Sequence, residues 1–242
     1  MSVLEIIKIG LEDIANIFEI KENLYKKYIE DEVLKNKLLI PLIEKRDNNF
    51  DWMKETPLGG AGTTLNACVL YCLIRNFDMN HVIETGVSGG YYTSFMLAAL
   101  NKNNYHGTLD SLEISDDKEQ VAKLVPKFQL NEGIDWNLIM GHSSLEFFKE
   151  LKNKNIKHAA ELYSHDSLHT MSHMLKELKE FKESVADRFF IFIDDEKSDN
   201  FWSRCLQTTA FKKDGYNIQY ISGATSRLSG HLGGFIEFKK CK

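Results

Sequence analysis

The segment His81–Tyr92 reads HVIETGVSGGYY and is the part of the sequence that says most about the fold. The apolar pair Val82 and Ile83 ends in the carboxylate Glu84, and a turn with three glycines follows. A helix-like run, Thr93–Leu100, comes next. A short strand, a tight glycine-rich turn and a helix together form the element that opens a nucleotide-type site in a parallel α/β fold.

The spacing of the glycines separates two kinds of site. A dinucleotide fingerprint reads G-x-G-x-x-G, whereas Ser88 interrupts the series here and gives G-V-S-G-G. The carboxylate of Glu84 at the strand end is a poor neighbour for a pyrophosphate and a good one for a cation. A purely structural glycine turn in some other α/β protein remains the alternative.

The same stretch resembles motif I of class I S-adenosylmethionine-dependent methyltransferases, which reads E/D-x-G-x-x-x-G or a close variant. The resemblance implies that Glu84, Gly86 and Gly89 hold the amino-acid end of the cofactor. Thr93, in the first turn of the following helix, would bind the cofactor carboxylate or only cap the helix.

Two later strands fit a nucleoside site. The run Thr108–Ser115, TLDSLEIS, ends near Glu113, where a carboxylate can accept hydrogen bonds from both ribose hydroxyls. A third strand, Trp136–Met140, leads into a loop that the resemblance places at the adenine. His142 and Ser143 are the candidate contacts there.

Four further strands complete the pattern, and the resemblance spans roughly Ala61 to the C-terminus. They are Ala160–Ser164, Arg188–Ile193, Tyr216–Ser222 and Gly233–Phe238. The sequence therefore predicts an α/β fold, with a Rossmann-like, seven-stranded, mostly parallel sheet, helices on both faces and an antiparallel last strand.

Carboxylates follow the fourth and fifth strands, namely Asp166, Asp194 and Asp195. Neighbouring strands end at one crevice, and converging carboxylates repel unless a cation or a proton intervenes. Mg²⁺ suits such oxygen ligands. Capping of a following helix, expected at Phe201–Lys212, by the Asp194–Asp195 pair is the alternative.

This arrangement resembles metal-dependent small-molecule O-methyltransferases, including sugar methyltransferases of natural-product synthesis and the cephalosporin-hydroxylase-like branch. The resemblance implies Mg²⁺ at the three carboxylates, with Asp166 also touching the cofactor. In those enzymes an Asp-x-x-His pattern supplies a base near the acceptor, and His169 occupies that position after Asp166.

The predicted catalytic pair is therefore Asp166 and His169. Oxygen methylation needs the acceptor hydroxyl deprotonated, and a histidine can do this near neutral pH. A packing or capping role for His169 is the alternative. His169 and His173 also form H-x-x-x-H, but no zincin-type Glu follows, so zinc is disfavoured.

Composition narrows the class of protein. A net charge of −5 over 242 residues argues against a nucleic-acid partner. The four cysteines form no C-x-x-C pair, and Cys68 and Cys72, four residues apart on an apolar helical run, are expected to be buried, reduced thiols. Neither a signal pattern nor a long apolar span occurs, so we expect a cytoplasmic protein without a membrane partner.

We expect two parts, a helical N-terminal extension at 1–55 and the catalytic domain at 56–242. The extension could cap the active site, form the face of a homo-oligomer or only cover the sheet. The segment 56–64, TPLGGAGTT, would be a mobile loop over the ligand or a plain linker. Arg227 and His231, in the loop 222–234, could contact the substrate, or that loop could be a plain hairpin connection.

The predicted function is S-adenosylmethionine-dependent O-methylation of a small hydroxylated molecule, such as a sugar, polyol, phenol or natural product. Two alternatives remain open. One is an NAD-dependent oxidoreductase on a similar scaffold, and the other is a non-catalytic subunit that binds S-adenosylmethionine.

Overall fold

The computed structural model describes residues 3–48, 63–103, 106–127, 130–153, 159–182, 185–194, 215–223, 226–228 and 232–241. Seven strands form one sheet in the order β3-β2-β1-β4-β5-β7-β6. They are β1 His81–Thr85, β2 Gly107–Glu113, β3 Ile134–Met140, β4 Ala160–His165, β5 Val185–Ile193, β6 Tyr216–Ile221 and β7 Gly234–Lys240. The strands β1 to β5 pair in parallel, whereas β7 runs antiparallel to both of its neighbours. The predicted fold class is confirmed.

The described residues also form seven α-helices and one π-helical segment. They are α1 Val3–Ile17, α2 Glu22–Lys27, the π-helical segment Tyr28–Val33, α3 Ile40–Asn48, α4 Thr64–Asn76, α5 Tyr91–Leu100, α6 Ser144–Asn153 and α7 Met171–Phe181. The helix expected at 201–212 and most of the segment 56–64 lie outside the described residues.

Helices cover both faces of the sheet because successive strand residues point to opposite sides. In β1, Val82 belongs to the apolar cluster that contains α4 and α5, whereas Ile83 belongs to the cluster that contains α6 and α7. Glu84 shares the parity of Val82, so its side chain faces the α5 side. This alternation decides which helix can contact which site residue.

The N-terminal helices join the α4–α5 layer. Ile7, Leu11 and Ile14 of α1 are buried in its apolar cluster. The guanidinium of Arg227 also binds α1, with Nε 2.7 Å from Oδ1 of Asp13. Arg227, a candidate substrate contact, is therefore engaged with α1, while His231 lies outside the described residues. A cap or oligomer role for residues 1–55 stays a prediction.

Two further expectations concern thiols and membranes. Cys68 and Cys72 are buried in α4, as predicted, whereas Cys241 is exposed and Cys205 lies outside the described residues. Within the described part of the chain, no helix has the length and apolar character needed to cross a membrane.

Candidate active site

The glycine turn after β1 is held close to two neighbouring segments. Gly86 has a φ of 83°, and a Cβ there would collide with the backbone carbonyl of Asp166. Gly90, the N-cap of α5, has a φ of 85°, and a Cβ there would collide with Val125. Both positions need glycine because L side chains rarely adopt this conformation. The turn therefore brings the end of β1 against the end of β4.

Glu113 at the end of β2 anchors this turn. Its Oε2 accepts hydrogen bonds from the backbone N–H groups of Val87 and Ser88, at 3.0 and 2.9 Å. Its Oε1 accepts one from the N–H of Ser115 at 3.1 Å. A carboxylate has about four acceptor positions, so these bonds do not exhaust it. Ribose binding by Glu113 stays a prediction.

Ile114 comes directly after Glu113 and was not singled out in the sequence. Its side chain is 69% exposed, which is unusual for a large apolar residue. An exposed apolar surface beside the carboxylate of Glu113 suits the face of a purine. The signal in the sequence was an apolar residue just beyond a buried strand.

Glu84 lies beneath the turn with only 1% of its surface exposed. Thr93 Oγ1 lies 3.0 and 2.8 Å from its two carboxyl oxygens, and Ser111 Oγ lies 2.8 Å from Oε2. Burial raises the pKa of Glu84 to about 8, against the lowering effect of these hydroxyls, and the charges of Asp166 and Glu113 add to the rise. The carboxyl is therefore mostly protonated at neutral pH.

The hydroxyl of Thr93 is therefore hydrogen-bonded to Glu84 inside the protein, and Thr93 is fully buried. Both residues support the turn from below. Their contact with a cofactor stays a prediction, as do those of Gly86 and Gly89.

The loop between β3 and α6 carries the predicted adenine contacts. His142 is exposed. Ser143 accepts a hydrogen bond from the backbone N–H of Glu146 at 3.3 Å, while its own N–H donates to Glu146 Oε2 at 2.9 Å. This is a capping box, visible in the sequence as S-x-x-E. It fixes the loop against the start of α6, and an adenine contact there stays a prediction.

The carboxylates after β4 and β5 lie at the same edge as the turn. The backbone N–H of Asp166 donates to Thr85 O at 2.8 Å, and that of Asp194 donates to His165 O at 3.0 Å. These bonds continue the parallel ladders one residue beyond the strands. Asp166 Oδ1 also lies 3.3 Å from Nε2 of His169, so the predicted catalytic pair is in contact.

Asp194 is held from α4 and α5. Tyr92 donates its hydroxyl to Asp194 Oδ1 at 2.8 Å, and Asn66 Nδ2 lies 3.4 Å from the same oxygen. Asn66 also accepts the backbone N–H of Gly233 at 2.9 Å, and Tyr92 accepts that of Thr63 at 3.0 Å. Burial, and then the charge of Asp194, raises the pKa of Tyr92 well above its usual value, so the phenol remains a donor.

The chemistry of these carboxylates fits a hard divalent cation, which prefers oxygen ligands. Asp166 and Asp194 end adjoining strands, and Asp195 lies outside the described residues. Among the described residues, no group of three or more His, Cys, Asp or Glu side chains could hold a metal ion. The Mg²⁺ site therefore stays a prediction. Two of its three proposed carboxylates, Asp166 and Asp194, lie among the described residues.

A second acidic group, Glu177 of α7, lies fully buried behind the end of β4. Its carboxylate contacts Nδ1 of His165 at 2.8 Å, Nε2 of His173 at 3.0 Å and the hydroxyl of Tyr163 at 2.8 Å. The hydroxyl of Ser144 also donates to it. Burial alone would raise the pKa of Glu177, but the hydrogen bonds, first that of His165, lower it to about 2.

This network accounts for two of the three histidines in His165–His173. Nε2 of His173 lies 3.0 Å from Oε1 of Glu177. Nε2 of His165 is buried and has no partner among the described residues.

Part of the chain matches a known protein family, and its fold matches several solved structures. Residues 83–196 match a family model described as a methyltransferase domain. Comparison with curated proteins gives no match.

Three solved structures share the fold over most of their length. The O-methyltransferase TomG from Streptomyces achromogenes, involved in tomaymycin synthesis and solved with S-adenosylmethionine, has a TM-score of 0.57 and 13% identity, covering 93% of this chain and 99% of that one. An O-methyltransferase from Bacillus cereus, in complex with S-adenosylhomocysteine, has a TM-score of 0.56 and 14% identity, covering 90% and 97%. The methyltransferase PaMTH1 from Podospora anserina, bound to S-adenosylhomocysteine, has a TM-score of 0.56 and 12% identity, covering 86% and 89%.

At identities this low, the comparison shows a common fold and nothing more specific. The sheet order, the glycine turn and the family match are consistent with that fold. The chain therefore shares the Rossmann-like fold of these methyltransferases, and its residues 83–196 match the model of a methyltransferase domain.

Proposed function

We propose that this protein transfers the methyl group of S-adenosylmethionine to an oxygen atom of a small hydroxylated molecule, such as a sugar, polyol, phenol or natural product. One observation carries the proposal. The turn at Gly86 packs directly on the backbone of Asp166, whose side chain contacts His169. A cofactor bound at the turn would therefore lie beside an acid–base pair.

The cofactor would occupy the edge formed by β1, β2 and β3. Glu113 would accept the ribose hydroxyls, and Ile114 and His142 would border the adenine. The turn after β1 would hold the amino-acid end, with Glu84 beneath it. Solved structures with the same fold that contain S-adenosylmethionine or S-adenosylhomocysteine support the choice of this cofactor.

Methyl transfer is an in-line displacement at the sulfonium carbon, so the protein mainly positions the acceptor and removes its proton. His169 is one-third exposed, and the carboxylate of Asp166 lies 3.3 Å from its Nε2. Asp166 would orient the ring and stabilise the imidazolium that forms when His169 takes the hydroxyl proton.

Asp166, Asp194 and Asp195 would hold Mg²⁺. When bound, this ion would lower the pKa of the acceptor hydroxyl and fix a neighbouring oxygen, which favours diols, catechols and hydroxy acids as acceptors. Tyr92 and Asn66 hold the carboxylate of Asp194 at the edge of the site through their contacts with its Oδ1.

The alternatives are less well supported. The glycine spacing, and β7 inserted antiparallel between β5 and β6, weigh against an NAD-dependent oxidoreductase. The contact between Asp166 and His169 weighs against a non-catalytic subunit. A homo-oligomer formed through the N-terminal helices and a cytoplasmic location remain part of the proposal.

Calorimetric titration with S-adenosylhomocysteine and with NAD⁺ tests the cofactor. We expect the first to bind and the second not to bind, and the reverse would refute the proposal. Incubation with S-adenosylmethionine and a panel of sugars, polyols and phenols, followed by mass spectrometry, should then show a gain of one methyl group. Binding without transfer to any acceptor would favour the non-catalytic subunit.

A further inference from the structure

The buried carboxylate of Glu177 contacts three different segments of the chain besides its own helix. Its Oε2 lies 2.8 Å from the hydroxyl of Tyr163 and 2.8 Å from Nδ1 of His165, both on β4. Its Oε1 accepts hydrogen bonds from the hydroxyls of Ser144, the first residue of α6, and of Ser167, in the loop after β4. One carboxylate therefore connects the end of β4, the loop that follows it and the start of α6.

The loop after β4 carries the predicted catalytic pair. Ser167 lies between Asp166 and His169, and its Oγ is 3.2 Å from Oε1 of Glu177. A second contact reaches His169 through His165, because the centroids of the two imidazole rings are 5.9 Å apart. Nε2 of His165 is buried and has no partner among the described residues, so the ring is held through Nδ1, beside Glu177. Glu177 thus supports the position of His169 in two ways.

The loop before α6 carries the predicted adenine contacts, His142 and Ser143. Ser143 is tied to the exposed Glu146 at the surface. Ser144, the next residue, is buried and donates its hydroxyl to Glu177 inside the protein. This loop is therefore anchored from the inside by the same carboxylate that supports the catalytic loop.

We propose that Glu177 is a positioning residue for both loops, which holds the adenine loop through Ser144 and the ring of His169 through Ser167 and His165. This inference rests on the proposed function. Glu177 has no exposed surface, so it contacts neither ligand and acts only through these neighbours. A carboxylate suits the role because it has about four acceptor positions, and hydrogen bonds to a charged acceptor are stronger than those between neutral groups.

The two serines separate the two effects. Ser144→Ala should raise the dissociation constant of S-adenosylhomocysteine by about 2- to 10-fold, as expected for the loss of one hydrogen bond that orders the loop. Ser167→Ala should lower turnover at saturating S-adenosylmethionine by about 10- to 100-fold, because a small displacement of the base slows proton removal. Its affinity for S-adenosylhomocysteine should change much less. Ser167→Thr keeps the hydroxyl and should recover turnover relative to Ser167→Ala.

His173→Ala is the matched control. His173 lies 3.0 Å from the same oxygen of Glu177, but it belongs to α7 itself and to neither loop. Its replacement should lower stability while cofactor affinity and turnover stay close to those of the wild type. Glu177→Gln should show both the affinity defect and the turnover defect. Ser167→Ala added to Glu177→Gln should lower turnover little further, because the contact between the two side chains is already lost.

Calorimetry with S-adenosylhomocysteine measures the affinities, and mass spectrometry measures turnover with the acceptor from the panel that the wild type methylates fastest. Unchanged affinity in Ser144→Ala, unchanged turnover in Ser167→Ala, or equal losses in His173→Ala would each overturn the inference and leave Glu177 a purely stabilising role. The affinity arm needs no acceptor, and the serine variants still decide if Glu177→Gln does not fold. A wild type that does not bind S-adenosylhomocysteine would instead refute the proposed function.

Discussion

The buried carboxylate of Glu177 gives the sharpest prediction about stability. Replacing it by Gln keeps its shape but removes the charge that His165, His173 and Tyr163 surround. Its pKa is about 2 in the folded protein, against an ordinary value of 4.5. Since folding lowers this pKa, the carboxylate stabilises the fold above about pH 4.5, and this contribution is lost as the pH falls toward 2.

The size of the effect follows from the shift. The difference of roughly 2.5 pKa units corresponds to about 3 kcal/mol of unfolding free energy at neutral pH. We therefore expect Glu177→Gln to lower the free energy of unfolding by about 3 kcal/mol at pH 7. Part of that loss comes from donors left without their charged acceptor. Near pH 3 the wild type and the variant should differ by much less.

Urea denaturation followed by tryptophan fluorescence, at several pH values, measures this difference. Glu119→Gln is the matched control, because that carboxyl group is exposed and its replacement should change stability by less than about 0.5 kcal/mol. A loss in Glu177→Gln that is the same at pH 7 and pH 3 would refute the reasoning. It would show that shape, and not charge, makes Glu177 stabilising.

Three further predictions concern the site. Glu113→Ala should weaken binding of S-adenosylmethionine by about 1–3 kcal/mol in calorimetry, because ribose hydrogen bonds are lost, and unchanged affinity would remove Glu113 from the site. A thorough chelator treatment should abolish methyl transfer and added Mg²⁺ or Mn²⁺ should restore it, whereas full activity after chelation would leave the carboxylates without a metal role. His169→Ala should lower turnover about 10²–10⁴-fold and remove the limb of the pH–rate profile near neutrality, with cofactor affinity kept; near-normal turnover with the same profile would exclude His169 as the base.

The sequence predicts the sheet well because each strand is short, apolar and bounded by turn residues. All seven expected strands are present, with boundaries that differ by a few residues, as in Val185–Ile193 against the expected Arg188–Ile193. The same alternation that predicts β1 also places Glu84 on the face of Val82. It could not show that Thr93, nine residues later, would bind that carboxyl group.

The rest of the site depends on contacts between residues far apart in the sequence. Asn66 meets Asp194 across 128 positions, and no local pattern marks either residue as the partner of the other. Glu177 looks like an ordinary helix residue, since its neighbour Leu178 provides the apolar signal of α7. Only the three-dimensional structure shows that imidazoles and hydroxyls surround the carboxylate of Glu177.

The hydrogen bonds of α4 bear on where a shortened form of this protein could begin. The family match starts at residue 83, after α4 has ended. Yet Asn66 of α4 reaches Asp194, and Thr63, its N-cap, reaches Tyr92. A chain shortened to the matched region would keep every predicted cofactor contact and lose the supports that hold the fifth strand's carboxylate in place. The contacts that hold this edge of the sheet therefore begin at Thr63, 20 residues ahead of the segment that matches the family model.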